Sequence, residues 1–374
     1  MHVARLGLTD FRSYEEVELS LAPGVTTLVG ANGQGKTNLV EALNYAATLG
    51  SHRVATDQPL IRTGAERAIV RVAIDRDGQQ TLVEIEINPG RANRVRVNRT
   101  PMARPREVLG LVRTVIFAPE DLALVKGDPA ERRRFLDDLV VARSPRFAAV
   151  RSDFDRILRQ RNTLLKSIQG TNPAHIPATL SVWDDQLLDV AAELTTARIA
   201  VVAALRPHFT AAYTTVAGVE SGAELSYQAA AGEVDPSGTD RVVVRDVLAR
   251  ALVQRQREEL ARGVSLIGPH RDELLIRLRA LPVRGYASHG ESWSTALALR
   301  LGSFELLREE GPSNEPVLIL DDVFAELDAP RRERMAAVAA AASQVIVTAA
   351  VPTDVPVGLG GRVLTLQDGR VSHA

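Results

Sequence analysis

The chain has 374 residues, of which 45% are hydrophobic and 24% charged, the make-up of a globular protein long enough for one large domain or two unequal ones. It contains no cysteine, which excludes disulfides, thiolate zinc sites and a cysteine nucleophile together. Its formal net charge is −1, so attraction to nucleic acid must come from local patches, and the lack of any run of about 20 uninterrupted apolar residues speaks against a membrane span or a membrane partner.

The first residues, Met1 to Asp10, lack the apolar core of a signal peptide, which together with the missing cysteine suits a cytoplasmic protein. Strands are expected at Val3 to Leu8 and Tyr14 to Leu21, with Phe11-Arg12-Ser13-Tyr14 between them and Pro23-Gly24 as a turn. The β-branched run Val25 to Val29 then enters Gly30-Ala31-Asn32-Gly33-Gln34-Gly35-Lys36-Thr37, the spacing G-x-x-x-x-G-K-T. Glycines let successive backbone N–H groups turn inward, and the opening helix adds its positive end, so a polyphosphate is cradled without side chains. Lys36 then reaches the β- and γ-phosphates and the Thr37 hydroxyl ligates Mg²⁺. Leu39, Ala42, Leu43 and Ala46 supply the helical stripe that follows.

Residues 68 to 98 alternate and predict an antiparallel meander. Between Ile87 and Arg106 there is no acidic residue, whereas Arg91, Arg94, Arg96, Arg99, Arg104 and Arg106 are basic. This ribbon reads as a DNA phosphate contact or as a solvated strand face. Val115 to Phe117 predicts one more strand and Pro119 a helix start. From Asp128 the period becomes 3.6, with Arg132, Arg133 and Arg134 as a second basic patch, on a DNA face or a charged helix face. Ser144-Pro145 reads as an N-cap with proline at the first helical position. The apolar face of Phe147 to Ile168, a break over Gln169 to Pro177, and a second stripe from Trp183 to Leu205 predict a hairpin of helices about 20 to 25 residues long. A strand at Glu224 to Gln228, a polar loop at Ala231 to Thr239, a helix from Asp240 to Arg262 ending at Gly263, and strands at Val264 to Ile267 and Leu274 to Leu278 follow. Gly268-Pro269-His270-Arg271-Asp272 is a turn by composition, and its charged cluster reads as a functional group or as a plain hairpin tip between those two strands.

Near the C-terminus, Ser288-His289-Gly290-Glu291-Ser292 opens a helix, as an anion site or as a plain cap. The apolar run Val317 to Leu320 ends in Asp321-Asp322. At the carboxyl end of a buried parallel strand, Asp321 would hold Mg²⁺ and Asp322 would orient or deprotonate water. Ala325-Glu326-Leu327-Asp328 is a loop before a helix from Ala329 to Ala342 and a strand at Val345 to Thr348.

The order of these pieces resembles the ATP-binding-cassette head shared by SMC-type proteins. Phe11 to Tyr14, the Gly30 to Ala42 stretch, Ser51-His52-Arg53, Phe117 to Leu122, Gly268 to Asp272 and Leu320 to Asp328 resemble the RecF family of bacterial recombination proteins, from near the N-terminus to about residue 350. The resemblance implies an α/β fold: an ABC-type P-loop ATPase head, with a mixed sheet plus an antiparallel meander, carrying an inserted, mainly helical lobe. The expected division is 1–115 and 263–374 for the two halves of the ATPase lobe and 116–262 for the insertion. It further implies an ATP- and Mg²⁺-binding protein of recombinational repair and replication restart. In this picture a head-to-tail homodimer forms on ATP at single-strand/double-strand junctions of gapped DNA, and with RecO and RecR helps load RecA at the nucleoid. ATP hydrolysis would be slow and act as a switch.

Carried over by motif, Gly30, Ala31, Asn32, Gly33, Gln34, Gly35, Lys36 and Thr37 bind ATP, Asp321 assists Mg²⁺ and Asp322 takes the catalytic carboxylate position. Ser288 and Gly290 contact the γ-phosphate held by a second copy, Asp328 lies at the seam, and Arg12 and Ser13 approach the nucleotide by looser analogy. The signature reads Ser288-His289-Gly290-Glu291-Ser292, where the family more often carries glutamines after the serine. The switch-histidine position of cassette ATPases is held by Thr348, and no clear glutamine-loop residue is evident. A transporter ATPase subunit is the alternative from another class, disfavoured by the arginine ribbon, the helical insertion and the lack of a switch histidine. An SMC-type chromosome-organising head would need far longer arms than the hairpin at 145 to 206.

Overall fold

A computed structural model describes residues 1–169, 178–220, 222–232, 240–367 and 369–373. The chain divides into two compact units, one made of Met1–Leu122, His208–Ser221 and Ser288–Ala374, the other of Ala123–Pro207 and Gly222–Ala287. The division falls after the expected boundary at 115/116. It also assigns residues 263–287 to the helical unit, because Glu273–Leu278 pairs there with Glu224–Gln228.

The first unit holds two sheets. In the central one the strands run Arg370–His373, Arg362–Gln367, Gly24–Val29, Gln344–Ala349, Val317–Asp321, Thr114–Phe117. All neighbours are parallel except the terminal pair. Every residue of Val317–Asp321 and of Gln344–Ala349 is buried, the continuous apolar reading of parallel strands covered on both faces. Register sets Ala349 beside Val29, Thr348 beside Asp321, and Leu320 beside Phe117. The carboxyl ends of four strands therefore finish at one edge.

The second sheet is the expected meander, ordered Tyr14–Ser20, His2–Phe11, Ala68–Arg76, Gln79–Ile87, Arg94–Val97, Thr100–Pro101, with every pairing antiparallel. Its strands alternate, sending Leu6, Leu8, Val70, Val72, Val83, Ile85 and Val95 into one core with Leu39, Val40 and Leu43 of the helix Lys36–Thr48. Each such side chain contributes about 1.5–3 kcal/mol on burial, which fixes that helix against the sheet.

The second unit packs the helices Pro129–Arg143, Phe147–Ser167 and Arg241–Arg262, and the first part of Ala178–Ala217, with a small sheet of Leu281–Pro282, Glu273–Leu278 and Glu224–Gln228. Phe154, Ile157, Leu187, Leu194, Val244 and Leu248 form its core. Asp240 caps the helix Arg241–Arg262 by accepting the Val242 N–H, and Gly263 ends it in a left-handed conformation.

Three expectations are corrected. The second helix of the hairpin is 40 residues and includes Pro207 in its interior. Proline inside a helix costs about 3 kcal/mol, and burial of Phe209, Tyr213 and Val216 beyond it offsets that loss. Ser144 does not cap the next helix: it closes Pro129–Arg143, and the following helix begins at Phe147 with no side-chain cap. Residues 264–267 are not a strand, so no hairpin surrounds Gly268 to Asp272. The Ser265 and Leu266 N–H groups donate to side chains, Asn162 Oδ1 at 2.8 Å and Glu259 Oε1 at 2.6 Å, and this removes the donors that a sheet ladder needs.

The helix expected at Pro119 starts as a 3₁₀ turn, Pro119–Asp121, continuing into Leu122–Lys126. The break expected over residues 170–177 and most of the polar loop, residues 233–239, lie outside the described residues. Among the described residues no helix is long and apolar enough to cross a membrane.

Candidate nucleotide-binding site

The loop from Gly30 to Gly35 leaves the strand Gly24–Val29 at the common sheet edge and enters the helix Lys36–Thr48. Gly35 is the N-cap residue at φ +96°, and no side chain caps the helix, so its first-turn N–H groups stay available to an anion. Tyr14 lies under the loop. A Cβ on Gly35 would come within 2.6 Å of the Tyr14 hydroxyl oxygen, so position 35 requires glycine for space and for its positive φ. Ala31, Asn32 and Gly33 are exposed at the tip, and Gln34 is half-buried. The Lys36 ammonium is buried against the loop's own carbonyls, 2.7 Å from Gly30 O and 3.3 Å from Ala31 O.

Across the edge, Thr37 Oγ1 donates to Asp321 Oδ1 at 3.2 Å, and Thr348 Oγ1 donates to the same oxygen at 2.6 Å. The Thr348 hydroxyl also accepts the Asp322 N–H at 2.9 Å. Burial pushes the Asp321 carboxyl up to about 6, with the Asp322 charge adding to the rise and the two threonine hydroxyls opposing it. Asp322 is half-buried with φ +52°, a conformation that aspartate tolerates better than most residues. Lysine, threonine hydroxyl, two carboxylates and an uncapped helix start thus converge from three chain segments. This donor set fits a polyphosphate with a hard divalent cation, which takes oxygen ligands.

The helix opened by the Ser-x-Gly segment runs His289–Arg308. Ser288 is its N-cap in a capping box: Ser288 Oγ accepts the Glu291 N–H at 3.3 Å, and Glu291 Oε2 accepts the Ser288 N–H at 2.9 Å. Ser288 is exposed, and among the described residues its hydroxyl donates to no acceptor. A Cβ at Gly290 would meet Arg331 Nη2 at 3.2 Å. Arg331 donates to Asp328 Oδ2 at 2.5 Å and to Ser294 Oγ at 3.0 Å, so it ties the Glu326-Leu327-Asp328 loop to the helix. Asp328 itself caps Ala329–Ala340 through the Arg331 N–H. No hydrogen bond or ion pair among the described residues joins Ser288 or Gly290 to the phosphate loop.

Arg12 and Ser13 are placed against the loop helix. Arg12 forms a bidentate pair with Glu41, at 2.6 and 2.8 Å, and also donates to Pro59 O. Ser13 Oγ accepts from Asn38 Nδ2 at 2.9 Å. Glu41 is fully buried and takes further hydrogen bonds from Ser51 and Arg53. Burial raises its pKa, but the Arg12 and Ser51 hydrogen bonds and the Arg12 and Arg53 charges outweigh that, holding the carboxyl below its ordinary value. Tyr14, Glu41 and Arg53 were missed from the sequence as parts of this brace. The helical spacing of Glu41 one turn after Thr37 was the only signal available.

Both basic patches change on folding. Arg132 is buried, paired with Glu273 at 2.7 Å and bonded to the Leu124 and Gly127 carbonyls. Arg133 donates to Asp272 O. These two are therefore internal braces rather than a DNA face. In the ribbon, Arg96 meets Glu84 at 2.8 Å and Arg94 lies 3.8 Å from Glu86, acids supplied by the neighbouring strand Gln79–Ile87.

Comparison with known proteins agrees with this geometry. Residues 2–355 match the model of the RecF/RecN/SMC N-terminal domain. The chain is 56% identical over 382 residues to the DNA replication and repair protein RecF of Streptomyces avermitilis and 55% identical over 379 residues to that of Frankia alni, with full coverage of both chains in each case. Among solved structures, that of the recombination mediator protein RecF with ATP, described as part of the RecFOR pathway, superposes with a TM-score of 0.89 at 26% identity, covering 100% of this chain and 97% of that one. An SMC head from Pyrococcus furiosus, at 17% identity and a TM-score of 0.54 over 100% of this chain and 96% of that one, shares the fold.

Proposed function

The chain belongs to the RecF family of DNA replication and repair proteins, within the wider RecF/RecN/SMC group, and from that premise we propose that it is an ATP-gated DNA-binding factor of recombinational repair. The observation that carries this reading is the meeting of Lys36, Thr37, Asp321, Asp322 and Thr348 at one sheet edge. ATP is held by the N–H groups of the Gly30–Thr37 segment and by Lys36, which leaves the Gly30 and Ala31 carbonyls to reach phosphate. Thr37 and Asp321 hold Mg²⁺. Both threonine bonds fall on Asp321 Oδ1, so the other oxygen is available to the cation. Asp322 orients the attacking water, and turnover is slow.

Ser288 and Gly290, on a helix start apart from the loop's hydrogen-bond network, complete the nucleotide site of a second copy, where the outward Ser288 hydroxyl donates to the γ-phosphate. Closure of that homodimer creates the grip on DNA at single-strand/double-strand junctions. RecO and RecR are the partners and RecA loading the outcome, in the cytoplasm at the nucleoid.

Mass photometry of the full chain with ATP, with ADP and without nucleotide, each with and without gapped duplex, tests this. Dimers are expected with ATP and should be enriched on gapped DNA. Equal dimer fraction and equal DNA affinity in all three nucleotide conditions would sink the proposal.

A further inference from the structure

The antiparallel sheet ends in a hairpin, Arg94–Val97 with Thr100–Pro101, and every charged residue from 88 to 106 is an arginine. Arg106 is half-buried, and folding sorts the other five into two kinds. Arg94 and Arg96 face Glu86 and Glu84 of the adjoining strand. Arg91, Arg99 and Arg104 are exposed and, among the described residues, make no ion pair and no side-chain hydrogen bond.

Their placement follows from the hairpin's register. Asn98 and Arg99 have φ +48° and +71°, the two positive values of a tight hairpin turn, so Arg99 is at the tip. The returning strand pairs Arg96 with Pro101, and the Met102 N–H donates to Val95 O at 2.9 Å. That carries Arg104 back to the end of the hairpin where Arg91 enters. Three uncompensated guanidinium groups thus fringe the outermost hairpin of the sheet, at both ends of a strand about 13 Å long.

We propose that this fringe grips the sugar-phosphate backbone of duplex DNA, with Arg91, Arg99 and Arg104 as the contact residues and Arg94 and Arg96 as a neutralised ladder behind them. The proposal rests on the DNA-binding reading above and adds the surface. Guanidinium forks match phosphate oxygens bidentately. In a chain of net charge −1, such a local excess is what concentrates a polyanion. Single strands are bound on aromatic platforms on which bases stack, and residues 88–107 contain no Phe, Tyr or Trp. The surface therefore reads phosphates and not bases.

The rival role is blunting of an exposed strand edge by charge and by Pro101. Anisotropy of a labelled duplex, titrated with the full chain in ATP and Mg²⁺ at about 50 to 200 mM salt, separates the two. Each lost phosphate contact lowers the log–log salt slope by about 0.9. R91A/R99A/R104A is expected to flatten the slope by about 3 and weaken binding roughly 10- to 100-fold, whereas R94A/R96A changes the slope by about 1 at most. Melting temperature and ATP binding should not move in the triple variant, and R91K/R99K/R104K should keep the slope. An unchanged slope in the triple variant overturns the proposal, as does self-association of that variant with unaltered duplex affinity, the edge-blunting result. If the unmutated protein binds no duplex, the DNA-binding reading falls as well; if it binds and the triple variant binds equally, only the assignment of this surface falls.

Discussion

Two clusters of charged groups, one in each unit, show opposite chemistry. In the helical unit Arg161 is 1% exposed and bonds Asp184 at 2.7 Å, Ser265 at 2.7 Å and Glu259 at 2.6 Å, while Glu259 also accepts the Leu266 N–H. Arg198 closes a similar knot on Asp137 and Pro269 O. At the sheet edge of the other unit, Lys36 leans on its own loop's carbonyls, the loop helix is uncapped, and Asp321 takes two bonds on one oxygen. The first cluster is closed on its own partners and acts as architecture. The second has bonding capacity to spare, which is the mark of a place for a ligand.

The comparison breaks most visibly at Arg161. Arg161→Met leaves the buried Glu259 without its ion-pair partner, and should cost about 3–5 kcal/mol, read as an earlier transition in urea unfolding. Next in size, Lys36→Ala should weaken ATP binding by about 1.5–3 kcal/mol, roughly 10- to 150-fold by titration calorimetry, while moving stability by less than about 1 kcal/mol. If Lys36→Ala unfolds the protein or Arg161→Met leaves its stability intact, the distinction between open and closed clusters is wrong.

Each unit also buries one histidine whose pKa burial pushes down to about 4, His52 in the first and His270 in the second. Among the described residues neither His52 ring nitrogen has a hydrogen-bond partner, and His270 bonds through Nε2, to Ser265 O at 3.1 Å, with no partner for Nδ1. A folded-state pKa below the unfolded value of about 6.5 means that the unfolded chain takes the proton first. The stability involved is fully present above pH 6.5 and is lost as pH falls toward 4. Each histidine accounts for up to about 2 kcal/mol at pH 5. His270→Leu should remove roughly half of that acid sensitivity in urea unfolding at pH 7 and pH 5; an unchanged pH slope would place the titration elsewhere.

Much of the open cluster was legible because its signals are local. Gly30 to Thr37 and Asp321-Asp322 carry their chemistry in consecutive residues, and continuous apolar runs mark the buried parallel strands that bring them together. The closed clusters were not legible, because their partners are remote: Arg132 meets Glu273 and Arg161 meets Glu259, and no spacing rule links such pairs. The same holds for Glu41, 29 positions from Arg12. Local signals also misled where tertiary burial overrode them, as at Pro207 inside its 40-residue helix and at 264–267, where β-branched residues suggested a strand but side chains hold the backbone.

The smallest effect is expected at Thr348, which belongs to both descriptions. Its hydroxyl is engaged both ways, donating to the Asp321 carboxylate and accepting from the Asp322 N–H, yet both bonds go to the residues that bring carboxylates to the open edge. Thr348→Val keeps the shape and removes both bonds, at a cost of about 1 kcal/mol in stability. With its N–H released, Asp322 loses the bond that fixes it in the place from which the proposed function has it orient water, so on that proposal ATP turnover should fall several-fold while ATP affinity changes little, and Thr348→Ser should restore both. That split distinguishes the two roles: a loss of stability with turnover intact would place Thr348 with the architecture, whereas a loss of turnover at near-native stability makes it the residue that positions Asp322 for the proposed role in hydrolysis.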